Sequence, residues 1–452
     1  MLKFEKNHYT IEEVTLCGET VRFRAFRDLV YVEKPVNAEF QKMNLFVPES
    51  YYEGASMNGC DLLSAPVFMP NTVGGYMPGP ADEPGTNPFL QGKPNTIFRA
   101  LQHGYVVASP AIRGRVQKDE DGHYNGKAPA CVVDYKAAVR YLHFFADELP
   151  GDENKIITNG TSAGGALSSL MGSTGNHPDY EPYLQALGAA DAGDDVFAAS
   201  CYCPIINLEH ADMAYEWEFS GVNDFHRANM KMDEGSRPVF TSVDGEMTDE
   251  QIRVSAEEKA LFPAYVNSLG LKDENGTLLT LDADGNGSLK EYVKRVVMES
   301  AQRALDGDAD LSDKTWLNIA NGKVQSMDFT AYVKDITRMK TAPAFDALDL
   351  ESPENDLFGN ETTNCRHFTE YSTANTKVQG ACAEAEVVKM LNPMEYVPGE
   401  CDRDTSLVIS AMLVLKLREA GCEVDYHSPW NTPHAGDYDL DELFAWIDGI
   451  CG

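Results

Sequence analysis

The sequence predicts an α/β fold: a parallel sheet covered by helices, carrying a large, mainly helical insertion. Three observations lead there. Three short apolar runs, APVFMP (65–70), YVVASP (105–110) and KIITN (155–159), read as strands, with a helix-like stretch between the last two. A glycine-flanked serine stands where the third run meets a helix-like segment, and past about Ser200 charged amphipathic runs take over before sheet-and-helix texture returns. Runs that are apolar throughout, without alternation, belong to strands buried on both faces, as parallel strands under helices are.

The first fifty residues do alternate, as in VRFRAF and LVYVEK, and predict an antiparallel start to the sheet. Between the second and third apolar runs lies CVVDYKAAVRYLHFFADEL, where Val132, Ala137, Val139, Tyr141 and Leu142 recur at helical spacing. The insertion is expected from TDEQIRVSAEEKALFPAYVNSL and SLKEYVKRVVMESAQRAL, two helices separated by the turn-rich DENGT and DADGNG. The tail then reads as a helix (SLVISAMLVLKLREAG), a strand (EVDYHSP) and a closing helix (DLDELFAWIDGI). This divides the chain into a first core part (1–200), an inserted lid (201–341) and a second core part (342–452).

Of 452 residues, 37 are Lys or Arg and 71 are Asp or Glu, a net charge of −34. That balance repels nucleic acid and anionic membranes over the whole approach, so neither is expected as a partner. A hydrophobic fraction of 43% supports a large core and excludes intrinsic disorder. MLKFEKNHYTIEEV has no apolar leader and no long apolar run follows, so a soluble, cytoplasmic protein is expected. The ten cysteines give no zinc spacing and are expected as free thiols. Asp282–Gly287 begins like a calcium loop, but Lys290 and Val293 occupy positions that need oxygen ligands, so a polar turn is expected. No metal or other cofactor is called for.

The chemistry lies in Gly160-Thr161-Ser162-Ala163-Gly164, directly after the strand KIITN and before GALSSLMG. A serine on a tight strand-to-helix turn presents its hydroxyl beside a helix N-terminus, where free N–H groups and positive potential favour a nucleophile. Such a serine needs a neutral base late in the chain and a carboxylate to orient it. His434, in the loop NTPHAGDY, is a better candidate than His427 at the end of EVDYH. Asp402 and Asp404, one residue apart before a helix, both qualify as the acid, and spacing does not choose between them. Oxyanion donors are expected from Ala163 N–H and from the loop Asn71-Thr72-Val73-Gly74-Gly75-Tyr76.

Together with MPNTVGGYMPGPADEP, GYVVASPAIRGR, CPIINLEHADMAYEWEF, TRMKTAPAFDALDLESPENDLFG, DRDTS and PHAGDYDLDELFAWIDG, these residues resemble a bacterial tannase, a tannin acyl hydrolase of the α/β-hydrolase superfamily. The resemblance implies a serine esterase for galloyl esters, with Ser162 as nucleophile, His434 as base, Asp402 as acid, and Gly75 and Ala163 as oxyanion donors. It also implies that Lys340, Glu354 and Asp404 contact the galloyl hydroxyls, and that the partners are small phenolic esters. One segment departs from the family, where the acid follows a core strand of the Trp-Arg-Ile-Arg type. Here AEAEVVKML runs through NPMEYVPGEC to Asp402, and only Met394–Val397 remains to serve. The alternatives are a feruloyl or general carboxylesterase with the same triad, or a catalytically impaired polyphenol-binding homologue.

Overall fold

In the computed structural model, which describes residues 1–88, 90, 92–232, 238–396, 407–430, 432 and 434–452, the chain starts as an antiparallel meander. Its strands are β1 (Thr10–Leu16), β2 (Glu19–Val30) and β3 (Lys42–Pro48). The three apolar runs follow as β4 (Pro66–Pro70), β5 (Val106–Pro110) and β6 (Asp152–Thr161), and β7 (Ala198–Tyr202) completes a seven-stranded sheet. The order is β1-β2-β3-β5-β4-β6-β7, with β3 antiparallel to β5 and β5, β4, β6 and β7 mutually parallel.

Parallel neighbours require crossovers, supplied here by α1 (Thr96–Gln102), α2 (Ala130–Phe144), α3 (Ala163–Ser173) and α4 (Glu181–Leu187). The pleat sorts side chains cleanly. Val67, Met69, Val106, Ala108 and Ile156 face α2 and α3, whereas Phe68, Val107 and Ile157 face α1 and the C-terminal helix. This is why the central strands read as unbroken apolar runs.

Beyond β7 come α5 (Leu208–Phe219), a hairpin of β8 (Asp224–Met232) and β9 (Pro238–Glu246), α6 (Asp249–Leu269) and α7 (Ser288–Asp306). A second hairpin, β10 (Leu317–Ala320) with β11 (Lys323–Met327), precedes α8 (Phe329–Ile336). The two long helices lie where expected, α6 opening on a Thr248/Gln251 capping box. The hairpins were not expected. In the turn of DADGNG, Asp282 Oδ1 accepts the N–H groups of Asp284 and Asn286, and Lys290 Nζ donates to Asn286.

The tail carries α9 (Pro353–Leu357), α10 (Glu370–Asn375), α11 (Ala385–Lys389), α12 (Leu407–Glu419) and α13 (Leu440–Cys451). Both predicted tail helices form. The strand predicted at EVDYHSP does not, for residues 423–429 have no regular structure. A strand exists only through its ladder, and among the described residues the seven-stranded sheet ends at β7, with no further strand beside it. Pro393–Glu395 is a 3-10 turn, so Met394 begins no strand, and Val397 lies outside the described residues. Among the described residues, no helix is long and apolar enough to cross a membrane, and the cysteines are free thiols.

α13 is fastened to the sheet by Phe444, fully buried with ring centroids 4.9 Å from His103, 5.4 Å from Phe68 and 5.7 Å from Tyr105. Phe444→Ala should lower stability in urea titration by about 3–5 kcal/mol, the cost of emptying an aromatic site in a packed core. A loss below about 1 kcal/mol would mean that the ring's buried surface is not anchoring the helix.

Candidate active site

Ser162 directly follows β6 and caps α3 with φ 61° and ψ −121°, a strained conformation for a residue with a Cβ. Neighbouring backbone holds it there. Ser162 N–H donates to the Tyr202 carbonyl at 2.9 Å, and the Ser162 carbonyl accepts from Ala166 at 2.9 Å and Ile205 at 3.1 Å. The flanking glycines are a steric necessity, because a Cβ on Gly160 would sit 2.3 Å from the Gly164 carbonyl oxygen and one on Gly164 2.5 Å from Asn71 Oδ1. As the first residue of α3, Ala163 keeps an N–H that no intrahelical carbonyl can accept.

His434 Nε2 lies 3.0 Å from Ser162 Oγ. Its loop, between α12 and α13, is pinned to the sheet on the C-terminal side of the histidine. Cys203 Sγ reaches the Ala435 carbonyl at 3.4 Å, Tyr202 donates to Asp439 at 2.5 Å, and Thr96 donates to Asp437. Gly436 has no room for a side chain, since a Cβ would fall 1.9 Å from Thr161 Oγ1. Burial pushes the Asp437 carboxyl up to about 6. His427 is instead 2.9 Å from Asp425 on an exposed stretch. Asp402 and Asp404 lie outside the described residues.

The expected oxyanion loop follows β4. Gly75 and Tyr76 both have φ 55°, and the turn is closed by Met77 N–H to the Gly74 carbonyl at 3.0 Å. Asn71 stitches this loop to the serine turn: its Nδ2 donates to the carbonyls of Asn159 and Gly164, each at 3.0 Å, and its Oδ1 accepts Val73 N–H at 3.2 Å. The Tyr76 hydroxyl donates to Ile205 at 2.7 Å. Burial, helped by Cys131 and Glu354, raises the Tyr76 phenol well above its usual value, so Glu354 is within electrostatic reach of this loop.

Lys340 and Glu354 come together, with Nζ 3.5 Å from Glu354 Oε1 and 3.9 Å from the Phe345 ring centroid. Glu354 Oε2 is buried without a hydrogen-bond partner, so its capacity to accept is unspent. What aims this pair is one face of α5, where Asp212, Tyr215 and Glu216 stand at helical spacing. Tyr215 hydroxyl accepts the N–H groups of Met339 (2.9 Å) and Lys340 (3.1 Å), and Glu216 pairs with buried Arg338 at 2.5 Å. Asp212 accepts Phe345 (2.7 Å) and Asp346 (3.0 Å) N–H; Asp346 accepts from Asn355 at 2.6 Å, one residue beyond Glu354. Asp212, Tyr215 and Asp346 were missed from the sequence, and Asn71 was named only as part of its loop, without its bridging side chain. The signal for α5 was present, as polar residues four apart on a helix otherwise buried.

The BD-FAE family matches residues 86–239, which include Ser162. Esterase LipC of Mycobacterium tuberculosis is 35% identical over 88 residues, 19% of this chain, and that match spans only 22% of the esterase's length. Likeness over the full length comes from solved structures. The tannase from Lactobacillus plantarum superposes with a TM-score of 0.95 at 45% identity, covering 99% of this chain and 98% of that one. The Fusobacterium nucleatum tannase gives 0.95 at 43% identity over 100% of both chains. A tannin acyl hydrolase in complex with ethyl gallate gives 0.92 at 45% identity, over 99% and 98%.

The acids behind Lys340 and Glu354 predict a pH dependence. Burial pushes up both Asp212 and Glu258; the charge of Asp346 raises Asp212 further while Lys340 lowers it, and Asp212, Glu216 and Asp346 raise Glu258 further. Glu258 Oε1 has no hydrogen-bond partner. In the native state these carboxyls hold protons that the unfolded chain gives up above about pH 4.5, so their contribution is complete below that and drains as pH rises through neutrality. Glu258→Gln should flatten the fall in Tm between about pH 5 and 9. Parallel curves for variant and wild type would show that Glu258 retains no extra proton.

Proposed function

The chain belongs to the bacterial tannases of the α/β-hydrolase superfamily, and from that premise we propose how its residues divide the work. The protein is a carboxylic ester hydrolase that cleaves galloyl esters to gallate and an alcohol through an acyl-enzyme. The observation carrying the mechanism is the 3.0 Å approach of His434 Nε2 to Ser162 Oγ on a strained turn at a helix N-terminus.

His434 takes the Ser162 proton as the oxygen attacks the ester carbonyl, and the resulting oxyanion accepts hydrogen bonds from Gly75 and Ala163 N–H. Collapse breaks the ester C–O bond, and His434 returns the proton to the departing alcohol. Water, deprotonated by the same imidazole, then releases the acid and regenerates Ser162. Asp402 holds the imidazole tautomer and stabilises its charged form. Tannase substrates carry adjacent phenolic hydroxyls. Glu354 and Asp404 would accept their protons in hydrogen bonds and Lys340 would donate to a phenolic oxygen. The unspent Glu354 Oε2 supports that role. Residues 201–341 serve as the lid over a core formed by 1–200 and 342–452, since α5 aims the segment that bears Lys340.

Ser162→Ala should reduce kcat on methyl gallate by at least about 1,000-fold and abolish labelling by a serine-directed phosphonate. Glu354→Gln should raise KM for methyl gallate about 10-fold, the cost of weakening one hydrogen bond to a charged group, with little change for methyl benzoate. Undiminished turnover in Ser162→Ala would sink the nucleophile assignment. Equal wild-type kcat/KM for the two esters would sink the hydroxyl contacts.

A further inference from the structure

Arg115 stands between the two halves of the site. The segment after β5 is laced to the oxyanion loop by Gly79 N–H to Ile112 at 3.0 Å and Ile112 N–H to Gly79 at 2.7 Å. Gly114 passes so close that a Cβ there would lie 2.2 Å from the Met77–Pro78 peptide. This delivers Arg115 directly beneath the loop. Its backbone N–H donates to the Tyr76 carbonyl at 2.9 Å and its Nε to the Gly75 carbonyl at 2.9 Å. The other arm of the guanidinium, Nη1, donates to Asp356, two residues after Glu354 on α9. Both partners are largely buried, with side chains 14% and 11% exposed. Asp356 is held from the other side by Lys127, whose Nζ also donates to the Asp356 carbonyl at 2.8 Å and to Asn364 at 2.9 Å.

The residues gripped are the two with positive φ, Gly75 and Tyr76, whose conformation must be imposed from outside. Fixing the Gly75 carbonyl fixes the peptide plane next to the N–H proposed to face the oxyanion. We propose that Arg115 is a positioning residue that locks the oxyanion loop to the ring-contacting helix α9, so that one planar fork sets both oxyanion stabilisation and the seat of the phenolic ring. The role needs arginine, because a guanidinium donates in two directions from one rigid plane and an ammonium is a single point. It rests on the assignments of Gly75 and Glu354 made above.

The test uses the full chain with two esters: methyl gallate, and 4-nitrophenyl acetate, whose acyl group has no ring and reports the serine and oxyanion hole alone. Active sites are counted by phosphonate titration, so that lost stability is separated from lost rate. Arg115→Gln should lower kcat per titrated site on both esters by about 10- to 100-fold, the effect of displacing an oxyanion donor, and should also raise KM for methyl gallate. Arg115→Lys should recover either kcat or the methyl gallate KM, but not both. If the Gln variant does not fold, Arg115→Lys carries the test by itself. Unchanged kcat on 4-nitrophenyl acetate, or recovery of both parameters by lysine, would overturn the proposal. Failure of the underlying galloyl assignment shows separately, in the wild type, as equal kcat/KM on methyl gallate and methyl benzoate.

Discussion

A Cβ atom on Gly164 would lie 2.5 Å from Asn71 Oδ1 and 2.8 Å from the Val73 carbonyl, and one on Gly165 2.6 Å from the Tyr202 carbonyl. At this point β6, α3, the loop after β4 and the end of β7 meet with no space for side chains, and the geometry at Ser162 follows from that contact. Because the backbones touch, Tyr202 can accept the Ser162 N–H, Asn71 can bridge two segments, and the strained serine needs no further support. A larger residue would separate the turn carrying the proposed nucleophile from the loop proposed to serve its oxyanion.

Farther out, precision is achieved by the opposite means, with buried polar groups that have only one way to be satisfied. Asp212, Glu216, Asp346 and Arg338 are almost wholly inaccessible to water. Each is tied to backbone or to a partner, so the segment from Arg338 to Glu354 has few alternative arrangements. A network of this kind adds little net stability, since desolvation offsets most of the attraction. What it supplies is a single arrangement. Lys340 and Glu354 are thereby brought 3.5 Å apart from positions fourteen residues apart in the chain.

Local features of the site were legible in the sequence, and non-local ones were not. The serine turn is specified within five residues, Gly160 to Gly164, and the helices α6, α7 and α13 announce themselves by periodicity, so all of these could be read directly. The hairpin of β10 and β11 also carried its own signal, Asn321-Gly322 with φ 52° and 71°, hidden within a stretch read as helical. EVDYHSP has the composition of a strand, but composition cannot provide the neighbour a strand requires. Lys340 and Glu354 were found only through family resemblance. Nothing near either residue marks it, because their meeting is arranged by α5 more than 120 residues earlier.

The loop bearing His434 is held to the sheet by contacts that follow the histidine, through Ala435, Gly436, Asp437 and Asp439, while before it the Ser428 carbonyl accepts from Ser300 at 2.5 Å and the Trp430 ring lies 5.8 Å from Trp316. The imidazole is thus located like a bead fixed to the sheet rather than like the end of a measured rod. Chain length between α12 and Ser428 is therefore nearly neutral to the position of the histidine, since lengthening an irregular connection costs only a slowly growing closure entropy. Insertions there leave the histidine's own anchors untouched, whereas a side chain at Gly436 would collide with Thr161.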